Sequence, residues 1–538
     1  MSSIGTSIEY SNPIIPGFAP DPSVVFVDGT FFLCTSSFHV FPGLPIYACK
    51  DLKTWCHIGN ALSRHSQLSL QGAGTYHVPL DSGFGMVATM GIFAPTIRHH
   101  RGVFYITATS TRLEGGHHRT DNFIITTSNI WKNAWSDPIY FEFEGIDTSL
   151  FFDDDDRAYV QGSWMTGLGK QPTATIKQAE INVATGKLLS DLKEIWPGWA
   201  KYDTEGPHIY KVWGYYYLLA AEGGTFENHM LTVSRSTNIW GPYENCEANP
   251  ILTAAGTEDY IQNVGHGELF QDADSQWWAA ILGVRKQADG SLGLGRESFL
   301  SPVDWPECGW PTVRQPQMTF EREAKRTIEH FTDAVSPPKS PPFVDDVYIR
   351  DHDESMYQYS DAGKLISLQP SLINLTSAVE SPTFLGRRQR FLTGTASTHL
   401  DLSNLQHSGG NFSAGIALYK DPMRFASLGY KSDTNEIAFH VQNSATGLST
   451  CQKQKLPSSA KELELQITAK PLIYQFFVKV QGKSSEWYKA GQVEAKDLDA
   501  RDFTGPMFGL FAHTDTEDKE ERGWVFEFKS GRYVQLRK

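Results

Sequence analysis

A pattern that occurs five times at intervals of similar length constrains this chain more than its composition does. In the first copy, PDPSVVFVDGTFFLCTS from Pro20 to Ser36, an acidic residue precedes a short apolar strand, a turn on Asp28-Gly29 and a second strand opening on Phe31-Phe32. The copies begin at Asp21, at Ala94 in APTIRHHRGVFYITATS, at Asp147 in DTSLFFDDDDRAYVQGS, at Gly206 in GPHIYKVWGYYYLLAA and at His266 in HGELFQDADSQWWAAIL. Successive starts lie roughly 50 to 75 residues apart, the span of one propeller blade each, and five blades close a ring. The innermost strands of a propeller all begin at one mouth of its central channel, so residues distant in sequence converge there. Three of them are acids: Asp21, Asp147 and Glu205, the last one position before Gly206. Like charges repel and burial strips each carboxylate of water, so their convergence predicts a functional site. Capping of backbone amides at a strand start accounts for any one of them, but less well for three at matching positions.

The formal net charge of −14, with no cluster of Lys and Arg, argues against nucleic acid or an anionic membrane as partner and favours a neutral small substrate. The N-terminal MSSIGTSIEYSNPIIPGF lacks the basic stretch and apolar run of a secretory signal, and no later segment reads as a membrane span. A soluble, cytoplasmic protein is the expectation. Cys34, Cys49, Cys56, Cys246, Cys308 and Cys451 show no metal-like spacing and are expected as buried free thiols, with the sequons at Asn374 and Asn411 unused.

The chain reads as all-β. Residues 1–330 are short strands punctuated by Gly, Asp and Pro, the propeller. Residues 331–346 pack four prolines, Pro337, Pro338, Pro341 and Pro342, into a stiff linker. Residues 347–538 alternate as half-buried strands do, for example at Leu463, Leu465 and Ile467, and predict a β-sandwich of jelly-roll, concanavalin-like type. The sandwich could bind carbohydrate itself or serve only to pack.

Two carboxyl groups facing one another can hydrolyse a glycosidic bond, one protonating the leaving oxygen and the other activating water. Asp21, in a proline-flanked loop, suits the ionised base. Glu205, ahead of a strand carrying Tyr210, Tyr215, Tyr216 and Tyr217, is expected to have its pKa raised by those aromatics and to serve as acid, with Asp147 tuning both. The run Asp153 to Asp156 falls at a hairpin turn and is expected as a solvated loop tip without a role.

Nearly end to end, the chain resembles the fungal and bacterial β-xylosidases and α-L-arabinofuranosidases of glycoside hydrolase family 43, in the group with a C-terminal β-sandwich. The resemblance is carried by NPIIPGFAPDPSVV, GIFAPTIRHHRGVFYI, GIDTSLFFDDD, TEGPHIYK, AAEGGTFENHMLTVSRSTNIWGPYE, VGHGELF and LGRESFLSPVDWPECGWP. It implies Asp21 as general base, Asp147 as modulating acid and Glu205 as general acid. It also implies that Arg296 reaches a sugar hydroxyl and a catalytic carboxylate, and that Phe38 stands beside the substrate. His229 and His266 are expected near the pocket; in many members the residue matching His266 lies under it and contacts through water a bound ion, often calcium, which is possible here but not required, since no O-rich calcium loop surrounds it. No cofactor is required. Where many bacterial relatives have GIWAP this chain has GIFAP, which puts Phe93 at the sugar and leaves the exact sugar preference open. From the sandwich, FTGPMFGLF offers Met507 or Phe508, and Phe508 is taken as the pocket residue.

The expected function is exo-acting, inverting release of terminal D-xylose from short β-1,4-xylo-oligosaccharides, with α-L-arabinofuranosidase activity alongside or, alternatively, dominant. A non-catalytic carbohydrate-binding or interaction propeller would keep the ring but has no need of three acids at its mouth. A retaining hydrolase of fructosides typically carries an Arg-Asp-Pro triplet, where this chain has Ile146-Asp147-Thr148. Whether the chain forms a homo-oligomer is left open.

Overall fold

The computed structural model describes residues 7–79, 85–167, 170–323, 340–402, 411–481, 486–516 and 526–529. Five antiparallel sheets of four or five strands follow one another along the chain. Their innermost strands are Ser23–Val27, Gly91–His100, Ile146–Phe152, Glu205–Val212 and Ile261–Gln271, each beginning at or within a few residues of a repeat start. These are the five blades. Strands such as Thr30–Cys34 and Gly43–Cys49 are buried along their whole length, because both faces of a blade pack against neighbours. Between the third and fourth blades lie Phe151, Tyr159, Trp196 and Leu218; between the fifth and first lie Phe31, Tyr47, Trp278 and Leu300. The N-terminal strand Ser7–Ser11 pairs with Thr319–Glu323, and Asn12 beyond it exchanges hydrogen bonds with the backbone of Leu300. The two ends of the propeller are thereby tied to the last blade.

Beyond the propeller a seven-stranded and a six-stranded sheet form the sandwich, and the strand Glu462–Lys470 alternates buried and half-buried positions along its length, as a sheet with one covered face must. Sandwich and propeller interlock. Tyr348–Ile349 pairs with Val40–Phe41 of the first blade, and Arg501–Asp502 runs parallel to Met86–Val87 of a propeller hairpin. Phe18, Phe38 and Val40 share an apolar seam with Ile349, Tyr419 and Met507. The fully buried Arg350 crosses the same boundary, donating to the carbonyls of Ala73, Ala378 and Glu380. No helix among the described residues is long and apolar enough to cross a membrane.

Three expectations meet the structure differently. Asp153 is not a solvated loop residue: it is buried, bonded to Lys211 Nζ at 2.5 Å and Tyr216 OH at 2.7 Å, because the hairpin turn of the third blade packs against the fourth. Cys34, Cys49 and Cys246 are buried thiols, but Cys308 and Cys451 are exposed. Of the proline-rich linker, residues 331–339 lie outside the described residues.

Candidate active site

At each of the five repeat starts the backbone enters the left-handed region: φ is 56° at Asp21, 37° at Ala94, 55° at Asp147, 56° at Gly206 and 29° at His266. Four of the five are not glycine, so the conformation costs about 1–3 kcal/mol at each and persists because the fold imposes it. In the second to fifth blades the pairing register also slips at this end of the innermost strand, the bulge that re-aims a side chain at a sheet edge. The repeated kink lets distant residues share one pocket. Gly206 needs its lack of a side chain, since a Cβ there would lie 3.0 Å from the His266 ring.

The pocket is a cavity of about 490 Å³, of the size that holds small ligands. Asp21, Asp147, Glu205, His266 and Arg296 line it, with Phe38 and Phe93 forming part of its wall. Asp21 accepts from Ser36 Oγ at 2.5 Å, and Ser36 in turn accepts from the Ala94 amide at 2.7 Å. Arg296 Nη1 lies 3.4 Å from Asp21 Oδ1 and donates to Thr225 Oγ1 at 3.0 Å. His266 Nδ1 stands 3.8 Å from Asp21 Oδ1 and 3.7 Å from Asp147 Oδ2.

These surroundings drive the acids apart. Burial would raise Asp21, but the Arg296 guanidinium, His266 and the Ser36 hydroxyl outweigh it and hold the carboxyl below its ordinary value. For Asp147, burial dominates; His266 draws the value down while the charge of Asp21 adds to the rise, and the carboxyl is pushed up to about 6. Glu205 is pushed well above its ordinary value by desolvation and then by the negative charges of Asp147, Asp203 and Asp21. The expected tyrosines are not the cause. Tyr210 donates to Glu268 Oε1 lower in the channel, Tyr216 bonds Asp153, and Tyr217 bonds the carbonyl of Gly309. An ionised carboxylate and a protonated carboxyl acid thus face one cavity from the first and fourth blades, the pairing that acid–base hydrolysis requires.

Two expected contacts lie elsewhere. His229 is buried behind the wall, its Nδ1–H donating to the Asn263 carbonyl at 2.9 Å; burial lowers its pKa to about 3, so it is a neutral supporting group outside the pocket lining. Phe508 points into the sandwich core, because its strand, Met507–Thr514, runs centrally between Thr383–Arg388 and Phe412–Asp421. The sandwich reaches the pocket one segment earlier, where Arg501–Asp502 joins the propeller hairpin and Phe503 enters the lining. The Phe503 ring stacks on Phe38 and Phe226, with centroids 5.7 and 6.3 Å away. Its carbonyl accepts from Arg296 Nε and Nη2 at 3.2 and 3.1 Å. Phe503 opens the very stretch FTGPMFGLF, so the segment signalled by the sequence does reach the pocket, through Phe503 in place of Phe508. Thr225 and Phe226 lie in the quoted AAEGGTFENH motif, where Gly223 and Gly224 at φ 86° and 71° turn the loop over the pocket. Asp203, whose own carboxyl is raised by burial, carried no signal beyond lying two residues before Glu205.

Among the described residues the donors clustered at His266 are one imidazole nitrogen and the carboxylates of Asp147 and Glu205, within 4.8 Å of one another, so most of the roughly six to eight ligands of a calcium ion would have to be waters. Two residues further along the innermost strand, Glu268 accepts from Arg98 Nη1 and Ser23 Oγ at 2.8 Å each and from Tyr210 OH at 2.9 Å. Arg98 also donates to the carbonyl of Leu150 at 3.1 Å and lies 3.0 Å from His208 Nδ1. All five blades contribute to this network, and its cation is the protein's own.

Fold and site together define a propeller-borne glycoside hydrolase working through carboxyl groups. The chain belongs to glycosyl hydrolases family 43, whose model matches residues 10–311, and the β-xylosidase C-terminal concanavalin A-like domain matches residues 347–530. It is 32% identical to a non-reducing end α-L-arabinofuranosidase of Bacteroides ovatus over 517 residues, 94% of this chain and 91% of that one. A xylosidase/arabinosidase of Butyrivibrio fibrisolvens is 34% identical over 528 residues, 93% and 95% of the two chains. The crystal structure of a xylan β-1,4-xylosidase from Bacillus halodurans superposes with a TM-score of 0.85 at 28% identity, covering 97% of this chain and 99% of that one.

Proposed function

We propose that the enzyme removes single terminal D-xylose residues from the non-reducing end of short β-1,4-xylo-oligosaccharides, with inversion at the anomeric carbon. The observation that carries this reading is the opposed proton affinity of Asp21 and Glu205. Asp21 takes a proton from water as that water attacks carbon, while Glu205 gives its proton to the departing oxygen. Asp147 and His266 steady the two charge states, and Arg296 holds Asp21 and a sugar hydroxyl. Inversion needs room for the water, with the carboxyls roughly 6.5–9.5 Å apart, against about 5–5.5 Å in a retaining pair; acids from the first and fourth blades suit the wider gap. A small pocket walled by Phe38, Phe93 and Phe503 favours release of one sugar at a time.

NMR of the first product from a β-xyloside, recorded before mutarotation, tests the mechanism. α-Xylose is expected; initial β-xylose would mean that Asp21 attacks carbon directly. The activity of the Bacteroides ovatus relative favours a second reading in which arabinofuranosides are the better substrate. Comparing kcat/KM on aryl β-xyloside and aryl α-L-arabinofuranoside decides between them.

A further inference from the structure

The outer face of the sandwich's six-stranded sheet is only partly covered. At one end Tyr419, Phe425 and Met507 lie in the seam with the propeller. At the other the face opens into a trough of about 480 Å³ that includes none of the residues lining the catalytic pocket. Strand register shapes it. Phe511, Gly415, Gly429, Ala438 and Lys453 stand abreast on five neighbouring strands, so the middle of the trough has almost no side chains. The Phe511 ring lies over this gap, and a Cβ on Gly429 would come within 2.8 Å of its Cζ. Ser413, Ser427, His440 and Asn411 supply polar groups around it, and the Asn374–Thr376 segment forms a wall.

Charge distinguishes this face from the rest of an acidic molecule. Against a chain net charge of −14, Lys431, Lys453 and Lys455 stand on it beside Glu436 and Asp515. Asp515 is already engaged by His513 at 3.5 Å and by Asn411 at 3.2 Å, and among the described residues Lys431 and Lys453 form no ion pair. Phe511 is itself buried, so the trough offers a nearly bare backbone floor on which a flat ring can lie; the hydroxyl and amide groups around it match sugar hydroxyls, and the lysines without an ion pair call for an anion. We propose that this trough is a second saccharide-binding site, taking a short sugar chain that bears a carboxylate, such as a uronic-acid branch. It stands independently of the substrate assigned to the catalytic pocket.

Cys451 lies in the trough and is exposed, so its alkylation rate reads occupancy at this place alone, with exposed Cys308 as the internal control. In full-length Asp21→Asn protein, which spares the probe from hydrolysis, a xylo-oligosaccharide carrying one glucuronic acid branch is expected to slow labelling of Cys451 several-fold and leave Cys308 unchanged. Lys431→Gln/Lys453→Gln, or Lys453→Gln alone at its exposed position, is expected to lose that protection; the same lysine substitutions made in protein that retains Asp21 are expected to keep wild-type hydrolysis of aryl xyloside. Absence of protection, or protection that survives both lysine substitutions, overturns the proposal. Equal protection by neutral xylotetraose refutes the carboxylate, and equal protection by inorganic phosphate refutes the saccharide.

Discussion

Asp21 and Glu205 differ because of what surrounds each carboxyl, and substitution should expose that difference. Asp21→Asn and Glu205→Gln are each expected to lower kcat about 10²–10⁴-fold while leaving the protein folded; near wild-type turnover in either would remove that residue from the mechanism. The pH profile of kcat/KM should be bell-shaped, its acid limb set by Asp21 and its alkaline limb by the coupled Asp147–Glu205 pair. Since the charge of Asp203 helps to raise Glu205, Asp203→Asn should move the alkaline limb to lower pH and leave the acid limb in place. Stability carries the opposite sign from activity. A carboxyl raised in the folded state holds a proton that the unfolded chain has lost, so it costs stability as pH climbs above the ordinary value through the folded one. Glu205→Gln should therefore melt higher than wild type at pH 8, with the gap closing towards pH 4. A gap that widens on acidification would contradict the raised value.

Two elements act at a distance from the chemistry. The segment from Arg501 to Phe503 brings an aromatic ring to the pocket and a carbonyl to Arg296. Phe503→Ala keeps the carbonyl and loses the ring, so KM should rise about three- to tenfold, in line with an aromatic contact of ~0.5–1.5 kcal/mol, while kcat changes less; an unchanged KM would place the ring outside the substrate's reach. In the channel, Arg98→Met strands the buried Glu268 carboxylate. Loss of one partner from such a pair costs about 3–5 kcal/mol, which thermal unfolding would register as a large drop in Tm. A wild-type Tm would show that the network does not hold the blades.

At the scale of the whole molecule, the sandwich helps to line the candidate pocket through Arg501 and Phe503. A fragment of residues 1–335 loses Phe503, the carbonyl that fixes Arg296 and the cover over Phe18 and Val40, and exposes an apolar seam. It is expected to be insoluble or inactive. A soluble fragment with full turnover would reduce the sandwich to an appendage and leave the three acids untouched.

The blade repeat was legible in the sequence because turn chemistry and strand pattern are local, and a ring of five units places the start of each inner strand at one mouth whatever the details. Asp21, Asp147, Glu205 and His266 could be found from that rule alone. The cause of each proton affinity was not local. The tyrosines near Glu205 in sequence face lower parts of the channel or the gaps between blades, and the charges that raise its carboxyl come from other blades and from Asp203. Nor could the sequence choose among Phe503, Met507 and Phe508, since the choice depends on where a sandwich strand leaves its sheet to pair with Met86–Val87. Cross-strand register likewise set Phe511, Gly429 and Lys453 abreast. Periodicity is written into neighbouring residues, whereas contact between distant strands is fixed only when the sheets pack.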